Sequence, residues 1–175
     1  MKKAIFIRHG ESIGNTRGIL TGRTNSTLTE RGLDEAKVVA EKLNKELHEP
    51  VDVYYSPLFR TVQTAMEICK EVNVNWSEAC DLLLAVNYSP EQGKLKSEIP
   101  NLKTFIKHRN TTPEFISQIE QLRNKIKNIP RTSIFVTHAG VIRKFLQMEQ
   151  NAGGEIDPDN LVKNCEPVVI EVPNA

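Results

Sequence analysis

The sequence predicts an α/β fold, in which helices pack on a mostly parallel β-sheet. Short apolar segments typical of buried strands alternate with longer segments of helical periodicity, and several of the strands end on polar residues that can carry chemistry. The 175 residues are 39% hydrophobic and 26% charged, which suffices for one globular domain with its own core. We therefore expect a single domain over residues 1–175.

The elements follow from the apolar pattern, taken in chain order. A short apolar run at residues 3–7 predicts the first strand, and residues 29–47 predict a helix with Leu33, Ala36 and Leu43 on one face. Either Thr29 or Asn25 is suited to begin that helix. Further strands are predicted at residues 51–55, 133–137 and 167–172, and further helices at residues 58–72, 113–129 and 141–150.

The segment between the second helix and the helix at residues 113–129 has no regular pattern. Pro90, Gly93 and Pro100 interrupt residues 73–110. We interpret this segment as a cap over the functional site, inserted at roughly residues 77–130. Residues 151–160 are predicted to form a loop that leads to the last strand.

Charge and composition exclude several classes of partner. The chain has 23 basic and 22 acidic residues, a formal net charge of +1, so no broad surface is expected for nucleic acid or an anionic membrane. No stretch of eighteen apolar residues occurs. Cys69, Cys80 and Cys165 are widely spaced and odd in number, as in free thiols of a reducing compartment. We expect a soluble, cytoplasmic protein.

Two histidines follow predicted strands. Arg8 and His9 end the first strand, residues 56–60 follow the second, and His138 follows the third. In an open α/β sheet, ligands bind at the carboxyl ends of the strands, so these residues are expected to converge on one crevice. A neutral, correctly aimed imidazole can attack phosphorus, because one ring nitrogen keeps a lone pair while the other donates a hydrogen bond. His9 is the candidate nucleophile.

The other residues of the crevice suit a phosphoryl group. The guanidinium forks of Arg8 and Arg60 match the geometry of phosphate oxygens, and His138 can add a donor that stabilises charge in the transition state. Asn15 offers a further polar donor. This set of residues needs neither a metal nor a cofactor, and its predicted partner is a small phosphorylated metabolite.

These residues belong to a set of motifs that resembles the histidine phosphatase superfamily, which includes the cofactor-dependent phosphoglycerate mutases and many small phosphatases. The resemblance covers nearly the whole chain. The matching residues are Arg8-His9-Gly10-Glu11-Ser12 with Asn15, then Thr21-Gly22, Leu28-Thr29 with Gly32 and Ala36, then Ser56-Pro57-Leu58 with Arg60, Gln63, Thr64 and Ala65, and finally Thr137-His138-Ala139-Gly140.

The resemblance implies a three-layer α/β/α sandwich of the phosphoglycerate mutase-like type, in which His9 is phosphorylated and Arg8, Arg60 and His138 complete the phosphate pocket. It also implies four substrate-binding positions, which are Asn15, Thr21, Gly22 and Tyr88.

The sequence departs from the family at the proton donor. Members of the family usually place a glutamate in the segment that leads to Tyr88, and alignment on Tyr88 puts Ala85 at that position. A positioned general acid contributes about 10²–10⁴-fold to the rate, so a replacement is expected. The nearby candidates are Glu91, Asp81 and Glu78.

Several functions therefore stay open. A metal-independent phosphomonoester hydrolase is the preferred interpretation, because Ala139–Arg143 resembles the phosphatase members. The alternatives are mutase-like phosphoryl transfer, a phosphohistidine or protein phosphatase that works without the usual acid, and a phosphate binder without turnover. The last strand or the cap offers a surface for a homodimer.

Overall fold

A computed structural model describes residues 1–150 and 162–173, except for the side chain of residue 150. The strands are β1 (Lys2–Arg8), β2 (Val51–Tyr55), β3 (Val74–Ala79), β4 (Ser133–Thr137) and β5 (Pro167–Val172), and the helices are α1 (Ile13–Thr16), α2 (Glu30–Glu46), α3 (Phe59–Glu71), α4 (Leu102–Arg109), α5 (Pro113–Asn128) and α6 (Ala139–Gln150). Short 3₁₀ turns occupy Asp81–Leu83 and Lys96–Glu98.

The five strands form one sheet in the order β3-β2-β4-β1-β5. The first four strands are parallel, and β5 pairs antiparallel with β1 at the opposite edge from β3. Parallel neighbours such as β1 and β4 are in register, with Arg8 opposite Thr137. The carboxyl ends of β1, β2 and β4 therefore meet at one edge of the sheet, as the sequence predicts.

Helices cover both faces of the sheet and produce the predicted three-layer sandwich. Side chains alternate along β1, so that Ile5 and Ile7 face a core under α2 and α3, while Ala4 and Phe6 face a core under α5 and α6. Burial of both faces explains why β1 and β4 are continuous apolar runs with no polar alternation.

The predicted helices and strands are confirmed to within two residues at their ends. Thr29 is the N-cap of α2, because its hydroxyl accepts a hydrogen bond from the Gly32 amide at 3.0 Å. Asn25 instead accepts a hydrogen bond at Oδ1 from the amide of Phe59, in the first turn of α3. The loop predicted at residues 151–160 lies outside the described residues.

The prediction of an irregular segment at residues 73–110 was wrong in two places. Val74–Ala79 forms strand β3, and Leu102–Arg109 forms helix α4. Helix α5 packs its apolar face against the sheet through Phe115 and Ile119. Within the predicted cap range of 77–130, residues 80–112 form the segment between strand β3 and helix α5.

Candidate active site

The strand ends bring the two predicted histidines together. Arg8 ends β1 and His9 follows it, Ser56 follows β2, and His138 follows β4. The ring centroids of His9 and His138 are 5.4 Å apart, and both side chains are buried. The predicted convergence of these residues is therefore present in the fold.

His9 is held in one orientation and in its neutral form. Its Nδ1 lies 2.7 Å from the carbonyl oxygen of Gly10, which can only accept, so Nδ1 carries the hydrogen and Nε2 keeps its lone pair. Burial lowers the pKa of His9 well below its usual value, and the positive charges of Arg60 and Arg8 lower it further. An imidazole of this kind can act as a nucleophile at neutral pH.

Three hydrogen bonds hold the backbone of His9 and Gly10. The His9 amide donates to the Thr137 carbonyl at 3.0 Å, and the His9 carbonyl accepts from Asn164 Nδ2 at 2.6 Å. The amide of Gly10 donates to Thr64 Oγ1 at 3.1 Å. A Cβ atom on Gly10 would lie 2.2 Å from the Gly32 carbonyl oxygen, so this close approach to α2 requires glycine.

A hydrogen bond to Ser56 orients the His138 ring. Its Nε2 lies 2.9 Å from Ser56 Oγ, while its buried Nδ1 has no hydrogen-bond partner among the described residues. Burial lowers the pKa of His138 well below its usual value, as do Arg60, His9 and Arg8. A neutral His138 that accepts from the Ser56 hydroxyl carries its hydrogen on Nδ1, and that N–H is then a donor for an anion.

Arg60 is fully buried, and among the described residues it is the largest side chain of that kind. Its Nη1 donates to the Thr24 carbonyl at 2.9 Å and its Nη2 to the Gly22 carbonyl at 2.7 Å. A guanidinium has five N–H groups, so three remain, including the Nε that has no partner among the described residues. Burial and the neighbouring Arg8 lower the pKa of Arg60 to about 10, which leaves it charged at neutral pH.

Arg8 reaches the site from the end of β1. Its Nη1 donates to the Val162 carbonyl at 2.7 Å, and its Nε has no partner within residues 1–150 and 162–173. Burial lowers the pKa of Arg8, and so does the charge of Arg143. Two partly free guanidinium groups thus accompany two neutral imidazoles in a buried space, an arrangement suited to an anion with several oxygens.

The predicted substrate-binding residues fall into two groups. Asn15 closes a capping box at α1, where its Oδ1 accepts from the amide and hydroxyl of Ser12, so only its Nδ2 group is left to donate to a ligand. Thr21 uses its carbonyl to hold Thr24. Gly22 and Tyr88 belong to a second group near Arg60.

Gly22 and Tyr88 lie close together. Gly22 has a positive φ of 49°, and a Cβ atom there would lie 3.2 Å from Tyr88 Cδ2 and 2.8 Å from Gln92 Oε1. The Tyr88 hydroxyl donates to Asn110 Oδ1 at 3.4 Å. Because the Gly22 carbonyl also accepts a hydrogen bond from Arg60, Tyr88 lies beside the Arg60 guanidinium.

The three candidate proton donors lie in different places. Glu78 is in β3 and pairs with Lys125 at 3.1 Å, and this hydrogen bond, together with one to Trp76, lowers the pKa of Glu78. Asp81 is exposed in a 3₁₀ turn. Glu91 pairs with Lys94 at 2.8 Å and directly precedes Gln92, whose Oε1 accepts a hydrogen bond from the Arg23 amide at 3.2 Å, beside Gly22. Glu91 is therefore the candidate attached to the pocket wall.

Arg23 forms a hydrogen bond to Ala85, the residue at the position of the family glutamate. Ala85 is buried, and its carbonyl accepts a hydrogen bond from Arg23 Nε at 2.9 Å. Arg23 Nη2 also donates to Gln118 Oε1 at 3.2 Å, and Gln118 Nε2 donates to the carbonyls of Leu82 and Leu84. Arg23 and Gln118 thus hold the segment that would otherwise present the acid.

Sequence reasoning assigned no role to several residues that support the site. Thr64, Ser56 and Asn164 hold Gly10, His138 and His9 respectively. Thr64 and Ser56 were within the family motifs, but only their contacts reveal what they hold. Asn164 comes from a distant part of the chain, and no local pattern marks it.

None of the helices within the described residues combines the length and the apolar character that a membrane span requires. Within residues 1–150 and 162–173, no three His, Cys, Asp or Glu side chains are grouped as ligands of a metal ion.

Curated relatives match parts of the chain. Phosphoserine phosphatase 1 of Hydrogenobacter thermophilus is 36% identical over 99 residues, which is 57% of this chain and 46% of that protein. A 2,3-bisphosphoglycerate-dependent phosphoglycerate mutase of Porphyromonas gingivalis is 37% identical over 76 residues, 43% of this chain and 31% of that protein. The chain spans less than half of the length of either relative.

Solved structures match the whole fold. YhfR of Bacillus stearothermophilus superposes with a TM-score of 0.83 at 19% identity, over 99% of this chain and 92% of that chain. A phosphoserine phosphatase of Entamoeba histolytica, solved with 3-phosphoglyceric acid, superposes with a TM-score of 0.73 at 22% identity, over 97% and 90% of the two chains. At these identities the likeness concerns the fold.

The sequence profile of the histidine phosphatase superfamily, branch 1, matches residues 4–174. This match spans nearly the whole chain, including both histidine motifs and the strands that deliver them. The chain belongs to the histidine phosphatase superfamily.

Proposed function

We propose that this chain is a metal-independent phosphomonoester hydrolase that acts through a phosphohistidine on His9. The observation that carries the proposal is the state of His9, which is a buried, neutral imidazole with Nδ1 bonded to Gly10 and Nε2 left with its lone pair. Two guanidinium groups lie beside it. The phosphoserine phosphatases and phosphoglycerate mutases among the relatives support a phosphoryl-transfer reaction.

The first step is an in-line displacement at phosphorus. The Nε2 lone pair of His9 forms the new N–P bond while the P–O bond to the leaving group breaks. The remaining donors of Arg8 and Arg60, together with the Nδ1–H of His138, bind the phosphoryl oxygens. These donors are held by the fold before substrate arrives, so they stabilise the growing charge without reorganising.

The second step releases phosphate. A water molecule attacks the phosphohistidine, its oxygen forms the new P–O bond, the N–P bond breaks, and the electron pair returns to Nε2 of His9. The residue that gave a proton to the leaving group in the first step accepts one from this water, which restores the starting state.

Glu91 is the proton donor that we favour over Asp81 and Glu78. It is next to Gln92 on the pocket wall, whereas Glu78 is bonded to Lys125 from α5 and its lowered pKa opposes a role as an acid. Glu91 must release Lys94 to reach a leaving group. Replacement of Glu91 by Gln is expected to slow hydrolysis of alkyl phosphates about 10²–10⁴-fold and to spare substrates with acidic leaving groups.

A second candidate function has a specific observation in its favour. Ala85 occupies the position of the family glutamate, and Arg23 is bonded to its carbonyl. If no carboxylate reaches the leaving group, the preferred substrates are acyl phosphates or phosphohistidine, whose leaving groups depart without a strong acid. Such an enzyme hydrolyses p-nitrophenyl phosphate but not alkyl phosphates. Mutase-like transfer and binding without turnover remain as alternatives.

One experiment tests the proposed intermediate. The chain is mixed briefly with p-nitrophenyl phosphate, quenched in alkali, which preserves phosphohistidine, and analysed by mass spectrometry. We expect a phosphoryl group on His9, metal-independent turnover in the presence of a chelator, and loss of both in His9→Ala. The matched control is His48→Ala, because His48 is exposed. Full activity in His9→Ala would refute the mechanism.

The same assay separates the alternatives. A binder without turnover forms no adduct on His9 and releases no phosphate. A mutase forms the adduct but passes the phosphoryl group to a second metabolite faster than to water. Hydrolysis of a panel of alkyl phosphates then shows whether a carboxylate such as Glu91 protonates the leaving group. An enzyme without such an acid hydrolyses only the activated ester.

A further inference from the structure

We infer that Asn164 and Glu35 are positioning residues for His9, and that they act on the backbone of the His9 turn, which is residues 8–11. The inference rests on the proposed function and deepens it, because it names side chains outside the phosphate pocket that set the direction of the nucleophile. No hydrogen bond between described residues joins either side chain to the His9 ring. Each instead bonds a peptide group whose orientation decides where the ring points.

Asn164 bonds the peptide group that follows the His9 Cα atom. Its Nδ2 donates to the His9 carbonyl at 2.6 Å. The Gly10 amide, at the other end of the same peptide group, donates to Thr64 Oγ1 at 3.1 Å. A planar peptide group that is bonded at both ends cannot rotate without losing a hydrogen bond. Asn164 and Thr64 together therefore fix the ψ angle of His9.

The chain around Asn164 also bonds the residue before His9. The Cys165 amide donates to the Arg8 carbonyl at 2.9 Å, and Arg8 Nη1 donates to the Val162 carbonyl at 2.7 Å. Cys165 has a φ of 52°, in the left-handed region that residues with a side chain rarely adopt. Such strain costs about 1–3 kcal/mol and is concentrated at functional sites. Here the strained residue stands where two adjacent residues bond Arg8 and His9.

Glu35 bonds the next peptide group, which joins Gly10 to Glu11. Its Oε2 accepts from the Glu11 amide at 2.9 Å, and its Oε1 accepts from Arg31 Nε at 3.1 Å. The carbonyl of the same peptide group belongs to Gly10 and accepts from His9 Nδ1 at 2.7 Å. Glu35 therefore orients the acceptor that keeps the hydrogen of His9 on Nδ1 and the lone pair on Nε2.

Glu35 and Asn164 border one cavity, which is separate from the phosphate pocket. The cavity has a volume of about 470 Å³, lies between α2 and residues 164–167, and is lined by both side chains. Among the described residues, none of the four proposed phosphate-pocket residues lines it. Substitution of Glu35 or Asn164 therefore leaves every side chain of the proposed phosphate pocket in place.

Three measurements on each variant separate the orientation of His9 from phosphate binding. Steady-state kinetics with p-nitrophenyl phosphate gives kcat and KM, and calorimetry gives the affinity for inorganic phosphate. ¹⁵N NMR in phosphate-free buffer gives the tautomer of the His9 ring, whose signals are assigned by their loss in His9→Ala. A residue that only stabilises the fold would lower the free energy of unfolding and leave both kcat and the tautomer unchanged.

Glu35→Ala removes the acceptor of the Glu11 amide. We expect kcat to fall about 10- to 100-fold, the His9 ring to become a mixture of tautomers, and phosphate affinity to change less than about threefold. Glu35→Gln keeps an oxygen that can accept from the Glu11 amide, so it should keep the tautomer and bring kcat to within about threefold of the unmodified protein. Asp34→Ala is the matched control on α2, where Asp34 pairs with Lys37, and should change none of the three measurements.

Asn164→Ala removes the donor to the His9 carbonyl. We expect kcat to fall about tenfold while KM and phosphate affinity change less than about threefold. The tautomer should be retained, because Glu35 still holds the next peptide group. Asn75→Ala is the matched control, since Asn75 Nδ2 donates to Asp52 at 2.7 Å at the far edge of the sheet, and it should leave kcat unchanged.

Other outcomes overturn the inference. Unchanged kcat in either alanine variant would remove that residue from the positioning role, and a loss of phosphate affinity as large as the loss of kcat would mean that it supports the whole pocket. A Glu35→Gln variant as slow as Glu35→Ala would mean that the charge of Glu35 matters and its bond to Glu11 does not. Because NMR needs no turnover, a protein that hydrolyses no phosphate ester but changes its His9 tautomer in Glu35→Ala would contradict only the proposed function.

Discussion

The floor and the wall of the pocket are built in different ways. The floor consists of Arg8, His9, Ser56, Arg60 and His138, which sit at or just beyond strand ends and are held mainly by backbone carbonyl and amide groups. The wall consists of residues 82–92, with Arg23 and Gln118, and is held by hydrogen bonds that long side chains donate to its carbonyls.

Because the floor and the wall are held differently, we expect them to have different roles. A floor fixed by the parallel sheet holds the donors and the proposed nucleophile in one arrangement, as the proposed phosphoryl transfer requires. A wall fixed by side chains can change its shape by substitution of a few residues without disturbing the sheet. We therefore expect changes in the floor to reduce the rate for every substrate, and changes in the wall to act on particular leaving groups.

Among floor residues other than His9, the largest effect on all substrates is expected from Arg60→Lys. An ammonium group has three donors, so after bonding Gly22 and Thr24 it leaves one for phosphate where the guanidinium leaves three, and kcat/KM should fall about 10²–10³-fold for all substrates. Steady-state kinetics with p-nitrophenyl phosphate and an alkyl phosphate measures this loss. Arg131→Lys, at the opposite end of the sheet, is the control. A loss confined to one substrate would place Arg60 functionally in the wall.

Ser56→Ala is expected to lower kcat about tenfold, because His138 loses the hydroxyl that fixes its tautomer. ¹⁵N NMR of the imidazole should detect Nδ1–H in the unmodified protein and a mixture of tautomers in the variant. Ser133→Ala is the matched control, since Ser133 is also buried but lies at the far end of β4. An unchanged tautomer in Ser56→Ala would contradict the assigned role.

The two buried histidines are expected to make the fold sensitive to acid. Their folded pKa values lie well below the unfolded value of about 6.5, so the unfolded chain binds more protons, and stability falls as pH drops below about 6.5. Each histidine contributes at most about 1.4 kcal/mol per pH unit to this fall.

Urea denaturation at pH 7.5 and pH 5 in phosphate-free buffer measures the effect. Replacement of His9 and His138 by Asn should reduce the loss of stability at pH 5. Replacement of the exposed His48 and His108 by Asn should leave that loss as it is. A pH dependence that is identical in both variants would mean that the buried histidines do not cause it.

The smallest effect is expected from Gln118→Ala. This change removes two hydrogen bonds to the carbonyls of Leu82 and Leu84 and one from Arg23, and should cost about 1–3 kcal/mol of stability. KM for alkyl phosphates should rise a few-fold, with p-nitrophenyl phosphate little affected. Gln121→Ala on the next turn of α5, whose side chain bonds only Ser117 in the described structure, is the control.

Much of the floor was predictable from the sequence. Arg8, His9 and His138 follow short apolar runs typical of buried strands, and parallel strands end at the same edge of a sheet. Arg60 lies in the first turn of α3, the helix that follows another such strand. Local patterns therefore determined which residues would meet, because the strand ends carry them.

Strand β3 was not predictable from its own residues. It lies at the edge of the sheet, and its side chains are mostly exposed, so Val74–Ala79 has neither the apolar run of a central strand nor a clear alternation. Helix α4 is short and has no buried residue, so it leaves no apolar stripe to detect. Both elements are defined by what they pack against or pair with.

The sequence by itself determined the α/β class, which histidines and arginines meet at the strand ends, and that Ala85 stands where the family usually has a glutamate. The tertiary structure alone decided that His9 and His138 are neutral, because burial and two nearby arginines act together only in the folded chain. It also decided which distant side chains support the site, as when Asn164 bonds the His9 carbonyl. The apolar pattern of the sequence indicates the strands and where they end. The pKa values and the long-range contacts depend on distances between residues that exist only in the folded chain.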